Sequence, residues 1–510
     1  MTLFFSISNS VTQEDWEKVY EETLFLADKL DLADWGKFFY KGVRHYAYCK
    51  VKERTEVEFG EKKLFWQSCS EYYNIGGRNY FRLNRVLNNK YNENAGPAIL
   101  RCIDSYTNLN SECLKNQTNY NYCEIWGGNY YIKVLAILCL LEGRLKEKVF
   151  IYGEVGKEDF EAAVRIANRY LKEPIEVSAR CDYKRMYEIV KTIDIPDEEK
   201  LNLMENAYLG KIDLNYKTFI ESKFDKTAIK RFWENKFKDF DVKDDESKDA
   251  LKSYLAHGFD FKDLFTYIPL ARTKEECLKL LELTIETAHS NCYFNELELT
   301  RDPKDDRVRY LPPEFIRSLF GAESKITIGN YTFEELVNEL SKYFGEQIDV
   351  RNFLKGKIKD EDEEAHISSL KEVSAKNDDS FYSKEERKCD IFRYGQIIHY
   401  KTGDTISSFY LSEIKKVVKA NKEKLDDEEL KEIEKKEPLE QIYDLIDMNS
   451  HFPVRDIDWR HAIDYFSTHS DAIKRYYPLF RMKPEFFSAE EDIAKALFLN
   501  DEFFDFCKGL

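Results

Sequence analysis

The stretch of sequence that decides the fold is residues 126–171, WGGNYYIKVLAILCLLEGRLKEKVFIYGEVGKEDFEAAVRIANRYL. Residues 130–141 are apolar on every side except at Lys133, and a helix that is apolar all round has to be buried. The short run 149–152 favours a strand, and residues 159–171 have apolar side chains at helical spacing. Because a strand between two helices is typical of an α/β unit, we expect the N-terminal region to pack around this segment.

The segments on either side extend the same pattern. Residues 3–7 alternate like a strand, and Thr12-x-x-Asp15 opens a helix because a hydroxyl and early acidic groups satisfy its free amides. Residues 149–177 predict a strand, a helix and a second strand with parallel pairing. The predicted fold class is α+β and helix-dominated, with a small mixed or parallel sheet in the N-terminal third, a helical middle and a mixed C-terminal region.

The length of 510 residues exceeds what one hydrophobic core usually serves, so several domains are expected. Turn-forming residues mark 301–313 as a linker, and a run of charged residues in 357–388 indicates a hinge. The predicted domains are an α/β N-terminal domain over 1–180, a helical domain over 181–300 and a mixed, mainly helical C-terminal region over 314–510.

Composition and charge limit the class of protein. A hydrophobic fraction of 43% with 15% aromatic residues is that of a folded chain, not a disordered one. The net charge of −17 produces a field that, on average, repels nucleic acid and anionic membranes. We expect neither a secretory signal nor a membrane span, because the longest apolar run, 134–141, falls well below the ~20 residues that a bilayer needs.

The cysteine pattern indicates a reducing compartment. The 11 cysteines are an odd number, and no CxxC pair occurs. This pattern favours reduced and mostly buried thiols in a cytoplasmic protein over a disulfide or metal framework. The heavy use of Lys, Asn, Tyr, Phe, Ile and Glu resembles that of proteins from bacteria with AT-rich genomes.

Residues 72–92 form a basic stretch that contains no acidic residue. Its basic and aromatic side chains include Arg78, Tyr80, Arg82, Arg85 and Lys90. Guanidinium groups near stacking rings are what a nucleotide or a single-stranded nucleic acid needs for binding. The alternative is that the three arginines, spaced as i, i+4 and i+7, form one solvated helix face whose acidic partners lie elsewhere in the chain.

The loop Gly153-x-x-Gly156-Lys157 precedes a predicted helix and invites comparison with phosphate-binding loops. The signature spacing is absent, and no Ser or Thr follows Lys157 to hold magnesium. Glu158 and Asp159 would stabilise the helix start themselves and repel a phosphate. We therefore expect no phosphate binding at this loop.

The densest cluster of titratable groups lies in residues 456–471. Asp458, His461 and Asp464 recur every three residues, which on a helix brings two or three of them toward one face, where they could hold a divalent metal. A hydrolytic site also needs further ligands, and the sequence offers no obvious second set. The alternative is an exposed first turn whose acidic groups stabilise the start of the helix.

No catalytic or cofactor signature stands out in the sequence. We therefore expect a non-catalytic cytosolic binding or regulatory protein, with another protein as its partner, no cofactor and no membrane. One setting for such a protein is a bacterial conflict system, such as toxin immunity or phage defence. The alternatives are a metal-dependent hydrolase using the Asp458 group, and a nucleotide or single-stranded nucleic-acid binder using the Arg82 patch.

Overall fold

The computed structural model describes the chain in segments. These are residues 2–8, 10–40, 43–58, 61–69, 80–87, 120–124, 128–210, 212, 214–242, 244–257, 261–268, 273–285, 333–357, 384–393, 395–448, 454–482 and 489–510. The predicted linker 301–313 lies outside these segments, as does most of the predicted hinge 357–388.

Helices dominate the described residues, and the strands all lie in the first third of the chain. The strands are β1 (Thr2–Ile7), β2 (Ala33–Tyr40), β3 (Val43–Lys50), β4 (Arg54–Glu58), β5 (Glu61–Cys69), β6 (Tyr80–Asn84), β7 (Tyr120–Glu124) and β8 (Val149–Gly153). The helices include α1 (Gln13–Lys29), α2 (Gly128–Leu145), α3 (Lys157–Asn168), α4 (Tyr183–Val190), α5 (Asp197–Ala207), α6 (Leu214–Lys223), α7 (Lys226–Phe237), α8 (Asp245–Ala256), α9 (Phe261–Tyr267), α10 (Phe333–Phe344), α11 (Val350–Lys357), α12 (Lys384–Arg387), α13 (Ser408–Lys424), α14 (Glu428–Ile433), α15 (Pro438–Met448), α16 (Asp456–Thr468), α17 (Ile473–Phe480), α18 (Ala489–Leu499) and α19 (Asp501–Lys508). The predicted helix-dominated α+β fold is confirmed.

The strands form two antiparallel sheets. In the first, β1 lies between β7 and β8, so that Phe4 stands opposite Tyr122 on one side and Tyr152 on the other. The second has the order β3-β2-β5-β4, and β6 also pairs with β5. The predicted parallel pairing is wrong, because β8 runs antiparallel to β1 and residues 172–178 form no strand.

The segment after α3 satisfies its backbone without a sheet. The Asn168 side chain donates to the Ile175 carbonyl at 2.9 Å and accepts from the Ile175 N–H at 2.8 Å. A side-chain amide therefore supplies the two bonds that a strand neighbour would otherwise have made. The backbone of Ile175 is thereby satisfied outside a sheet.

Helix α2 lies at the centre of the N-terminal core, as its apolar surface predicts. Residues 134–141 are all buried, and the helix packs against α1, α3 and β8. Gly143 permits the close approach of Ile175, since a Cβ there would lie 2.8 Å from the Ile175 Cγ2 atom. Lys133 is buried as well, at 3% exposure, so its charge needs a partner inside the protein.

Helix α1 begins where the sequence predicts. Thr12 is its N-cap residue, and the Thr12 hydroxyl accepts a hydrogen bond from the Asp15 N–H at 3.1 Å. Thr12→Ala is expected to lower the free energy of unfolding by about 1 kcal/mol, because one helix amide loses its acceptor. Thr12→Ser keeps the hydroxyl and should behave like the wild type in urea denaturation. Equal losses for the two variants would contradict this role.

The described chain divides into two compact units. One contains Met1–Ile189, Asn206–Leu209 and Glu385–Leu510, and the other contains Val190–Glu205 and Gly210–Lys384. This division differs from the predicted order of three consecutive domains, because the first unit combines both ends of the chain. That unit holds an N-terminal core around α2 and a C-terminal core that includes Tyr476 and Phe498.

The second unit is helical and has an aromatic interior. The Trp233 ring packs edge-on against Tyr254 at 5.0 Å between centroids, and it also contacts Phe237. The buried His257 lies close by, with its Nε2 atom 2.8 Å from a Glu205 carboxylate oxygen. The buried polar pair is therefore satisfied within the aromatic cluster.

Every cysteine whose side chain the structure describes is a free thiol, and four of these are buried: Cys69, Cys139, Cys277 and Cys507. Within the described segments, no helix combines the length and the apolar character required to cross a bilayer.

Candidate functional site

The predicted basic patch lies on a strand instead of a helix. Arg82 is in β6, and Arg85 directly follows that strand. The interpretation of the arginines as one helix face is wrong, because residues 80–84 pair with β5 as extended backbone. Tyr80 is 53% exposed. Two other predicted residues lie outside the described segments: Arg78 and Lys90.

Both described arginines already have carboxylate partners. The Arg82 Nη1 atom lies 2.8 Å from Glu56 Oε2. Arg85 contacts Glu53 at 2.7 Å and also forms an ion pair with Glu21. An anionic ligand would have to displace these acids, so the geometry of the two arginines does not favour a nucleotide or nucleic-acid site. That function stays a prediction.

The predicted metal residues lie on α16 but turn to different partners. Asp458 is buried and accepts two hydrogen bonds from the Arg455 guanidinium, at 2.9 and 3.0 Å. His461 Nε2 lies 3.3 Å from Asp501, and Asp464 is exposed. In the part of the chain that the structure describes, no group of three or more His, Cys, Asp or Glu side chains could hold a metal ion. The hydrolase alternative stays a prediction.

The loop between β8 and α3 is occupied by its own acidic residues. The Asp159 carboxylate accepts the Gly156 N–H at 2.8 Å and lies 2.7 Å from the Arg393 guanidinium. Glu158 lies 3.7 Å from Arg387. The acidic side chains thus cap their own helix and bind arginines from the C-terminal part of the same unit. A phosphate at this loop would meet two carboxylates.

A buried group of charges was not predicted from the sequence. Its members, here named the ionic cluster, are Asp31, Lys133, Arg455, Asp458 and Lys495. The Asp31 carboxylate is the centre. It lies 3.3 Å from Lys133 Nζ, 2.6 Å from Arg455 Nε and 3.5 Å from Lys495 Nζ. The cluster therefore ties the end of α1 to α2, to the start of α16 and to α18.

Asp31 occupies a position that disfavours aspartate. It has a φ of 58°, a conformation that favours glycine. Its N–H donates to the Asp28 carbonyl while the Leu32 N–H donates to the Ala27 carbonyl, which closes α1 as a Schellman motif. A buried carboxylate at the negative end of a helix is also unfavourable. The three cations around Asp31 offset these costs.

The surrounding charges set the protonation of the cluster. Burial alone would raise the pKa of Asp31, but Arg455, Lys133 and Lys495 hold that pKa below its usual range. Burial and the like charge of Asp31 raise the pKa of Asp458 to about 6, although the Arg455 hydrogen bond and charge oppose this shift. Burial lowers the pKa of Lys495, against the opposing charge of Asp31. Asp31 is thus ionised at neutral pH.

His399 is a buried neutral side chain near the ionic cluster. Its Nδ1 atom lies 3.0 Å from the Tyr170 hydroxyl, and its backbone carbonyl accepts from Arg169 at 2.9 Å. Burial, and after it the charge of Lys133, lowers the pKa of His399 to about 3. The imidazole therefore stays uncharged in the folded protein even in mild acid.

The candidate functional site is an exposed apolar surface on helix α15. The inner side of this helix is packed in the C-terminal core through Gln441, Ile442 and Leu445. The outer side, here named the α15 face, carries three large apolar side chains: Leu439 (55% exposed), Tyr443 (58% exposed) and Ile446 (42% exposed). The apolar surface of α15 is thus wider than the part that the fold covers.

Acidic residues line one edge of the α15 face. At 3.6 residues per turn, its three apolar residues fall within about 60° of one another around the helix axis. Glu440 and Asp447 point in nearly the same direction, on the edge away from the core, and lie about two turns apart along the helix axis. Asp444 pairs with Lys436 at 2.6 Å. Helix α15 contains no lysine or arginine of its own. The site is therefore an apolar stripe with an acidic border.

The sequence alone could not distinguish this face from the core. Helix α15 has apolar residues at positions that point in several directions, and the pattern does not show which of them neighbouring helices cover. Comparisons of the chain with protein-family models, with curated proteins and with solved structures find no match.

Proposed function

We propose that this chain is a non-catalytic cytosolic binding or regulatory protein that holds another protein on the α15 face. The observation that carries the proposal is the exposure of Leu439, Tyr443 and Ile446 on one side of a helix whose other side is packed. Adjacent exposed apolar side chains on a folded surface are typical of protein interaction sites. Their transfer out of water contributes about 25 cal/mol per Å² of apolar surface.

The α15 face is already ordered for binding. Ile442 and Leu445 anchor the helix in the C-terminal core, and the pair of Lys436 with Asp444 joins the helix to the preceding turn. A partner would therefore not have to order this helix on binding, which leaves more of the contact energy as affinity. Tyr443 is the expected anchor, because tyrosine combines a large rigid ring with a hydroxyl and is enriched at binding hot spots.

The test is co-purification of the full-length chain from extract of its own cells. We expect a defined protein to co-purify with the wild type and to be lost from the variant Leu439→Asn/Ile446→Asn. Both substitutions change exposed side chains, so the melting temperature should change little. Phe25→Gln is the matched control, because Phe25 is an exposed apolar residue on α1, at 46% exposure.

Two results would contradict the proposal. One is a wild-type chain that is strictly monomeric and free of any partner. The other is a partner that the Leu439→Asn/Ile446→Asn variant retains as well as the Phe25→Gln control does.

The free thiols of the described residues support a reducing compartment. A bacterial conflict system as the setting stays a prediction.

A further inference from the structure

We infer that the occupant of the α15 face is a basic amphipathic helical segment of another protein. The inference rests on the proposed function and adds the chemistry of the partner. An apolar stripe of i, i+4 and i+7 residues on a helix is complementary to a similar stripe on a second helix. Leu439, Tyr443 and Ile446 supply that stripe along more than one full turn of α15.

The acidic border selects the charge of the partner. Glu440 and Asp447 lie seven residues, or about two helical turns, apart along the same edge. Among the residues that the structure describes, neither forms an ion pair with a basic side chain. Lys436 forms its ion pair with Asp444, and its charge also attracts Glu440 at longer range. Lysine or arginine beside the apolar residues of the partner would complete two ion pairs at the rim, and an acidic partner would be repelled.

Other occupants are less compatible with these charges. A second copy of the chain would bring the same acidic border and a further net charge of −17. Nucleic acid and anionic membrane surfaces would be repelled by Glu440 and Asp447 for the same reason. A cationic peptide segment matches both the apolar stripe and the acidic edge.

The probe for the experiment is a fluorescent helical peptide of about 20 residues, with a leucine stripe bordered by lysines on one edge. A second peptide carries glutamate at each lysine position. Fluorescence anisotropy with the full-length chain measures binding of both. We expect the lysine peptide to bind and the glutamate peptide not to bind. Affinity for the lysine peptide should fall as the salt concentration rises from about 50 to 300 mM.

Two charge variants separate the effect of the acidic border on peptide binding from the effect of the net charge. Glu440→Lys/Asp447→Lys should weaken binding of the lysine peptide about tenfold, because two exposed ion pairs become two repulsive contacts. The control Glu17→Lys/Glu423→Lys makes the same change in net charge at exposed helix positions elsewhere. We expect the control variant to bind like the wild type.

The inference is overturned if both charge variants weaken binding equally, if the glutamate peptide binds as well as the lysine peptide, or if the α15 face proves to join two copies of the chain. These results differ from a failure of the proposed function. If a native partner is lost with Leu439→Asn/Ile446→Asn but retained by Glu440→Lys/Asp447→Lys, the binding function is supported. Only the inference that the partner segment is basic is then contradicted.

Discussion

Asp31→Asn is expected to lower the free energy of unfolding by about 3–5 kcal/mol, because it leaves buried cations without their shared carboxylate. Asparagine tolerates the positive φ of this position nearly as well as aspartate, so the backbone cost is the same in both proteins. The change therefore isolates the charge that Lys133, Arg455 and Lys495 surround. Urea denaturation followed by circular dichroism measures the loss.

Two further variants make the Asp31 result specific. Glu428→Gln breaks the exposed ion pair with Lys431 and should leave the urea midpoint unchanged, since exposed pairs contribute little. The double variant Asp31→Asn/Lys495→Met should be more stable than Asp31→Asn alone, because one unpaired buried cation is removed. An Asp31→Asn protein as stable as the wild type would show that the ionic cluster does not hold the unit together.

His399→Asn is expected to change how stability depends on pH. The pKa of His399 is about 3 in the folded chain and about 6.5 when exposed. Between these values the unfolded chain binds a proton that the folded chain does not. His399 therefore raises the free energy of unfolding of the wild type above pH 6.5. This contribution decreases by about 1.4 kcal/mol per pH unit as the pH falls below that value.

Asparagine at position 399 keeps an amide near the Tyr170 hydroxyl but cannot take up the proton. The difference in unfolding free energy between wild type and His399→Asn should therefore be largest at pH 7 and shrink between pH 6 and pH 4. Asp458, whose raised pKa acts in the opposite direction, is present in both proteins and cancels in this difference. Urea denaturation at several pH values tests this, and a constant difference across that range would be the contrary result.

The parts of the fold that depend on local sequence were predictable. The hydroxyl of Thr12 starts α1 as expected, and the apolar run 134–141 is buried as its composition requires. The acidic residues after Gly156 occupy the start of α3, as their position predicts. Thr12 and Asp159 bond to amides within three residues, and the burial of 134–141 follows from its composition whichever elements cover it, so the pattern alone identifies these features.

The parts that depend on distant partners were not predictable. The antiparallel pairing of β8 depends on β1, at the far N-terminal end of the chain. The ionic cluster joins residues so far apart that Arg455 donates to the carbonyl of Leu32 across 423 positions of sequence. Its one sequence signal was Lys133, a single charge in an apolar helix. No residue pattern shows which cation or anion will meet another after folding.

The most direct test of partner binding on the α15 face is hydrogen–deuterium exchange of the chain with and without its co-purified partner. Burial of the α15 face predicts slower exchange on binding in α15, residues Pro438–Met448. Strand β6, which carries Arg82, should exchange at the same rate in both states. Protection of β6 with no change in α15 would contradict binding on the α15 face and favour the basic patch as the binding site.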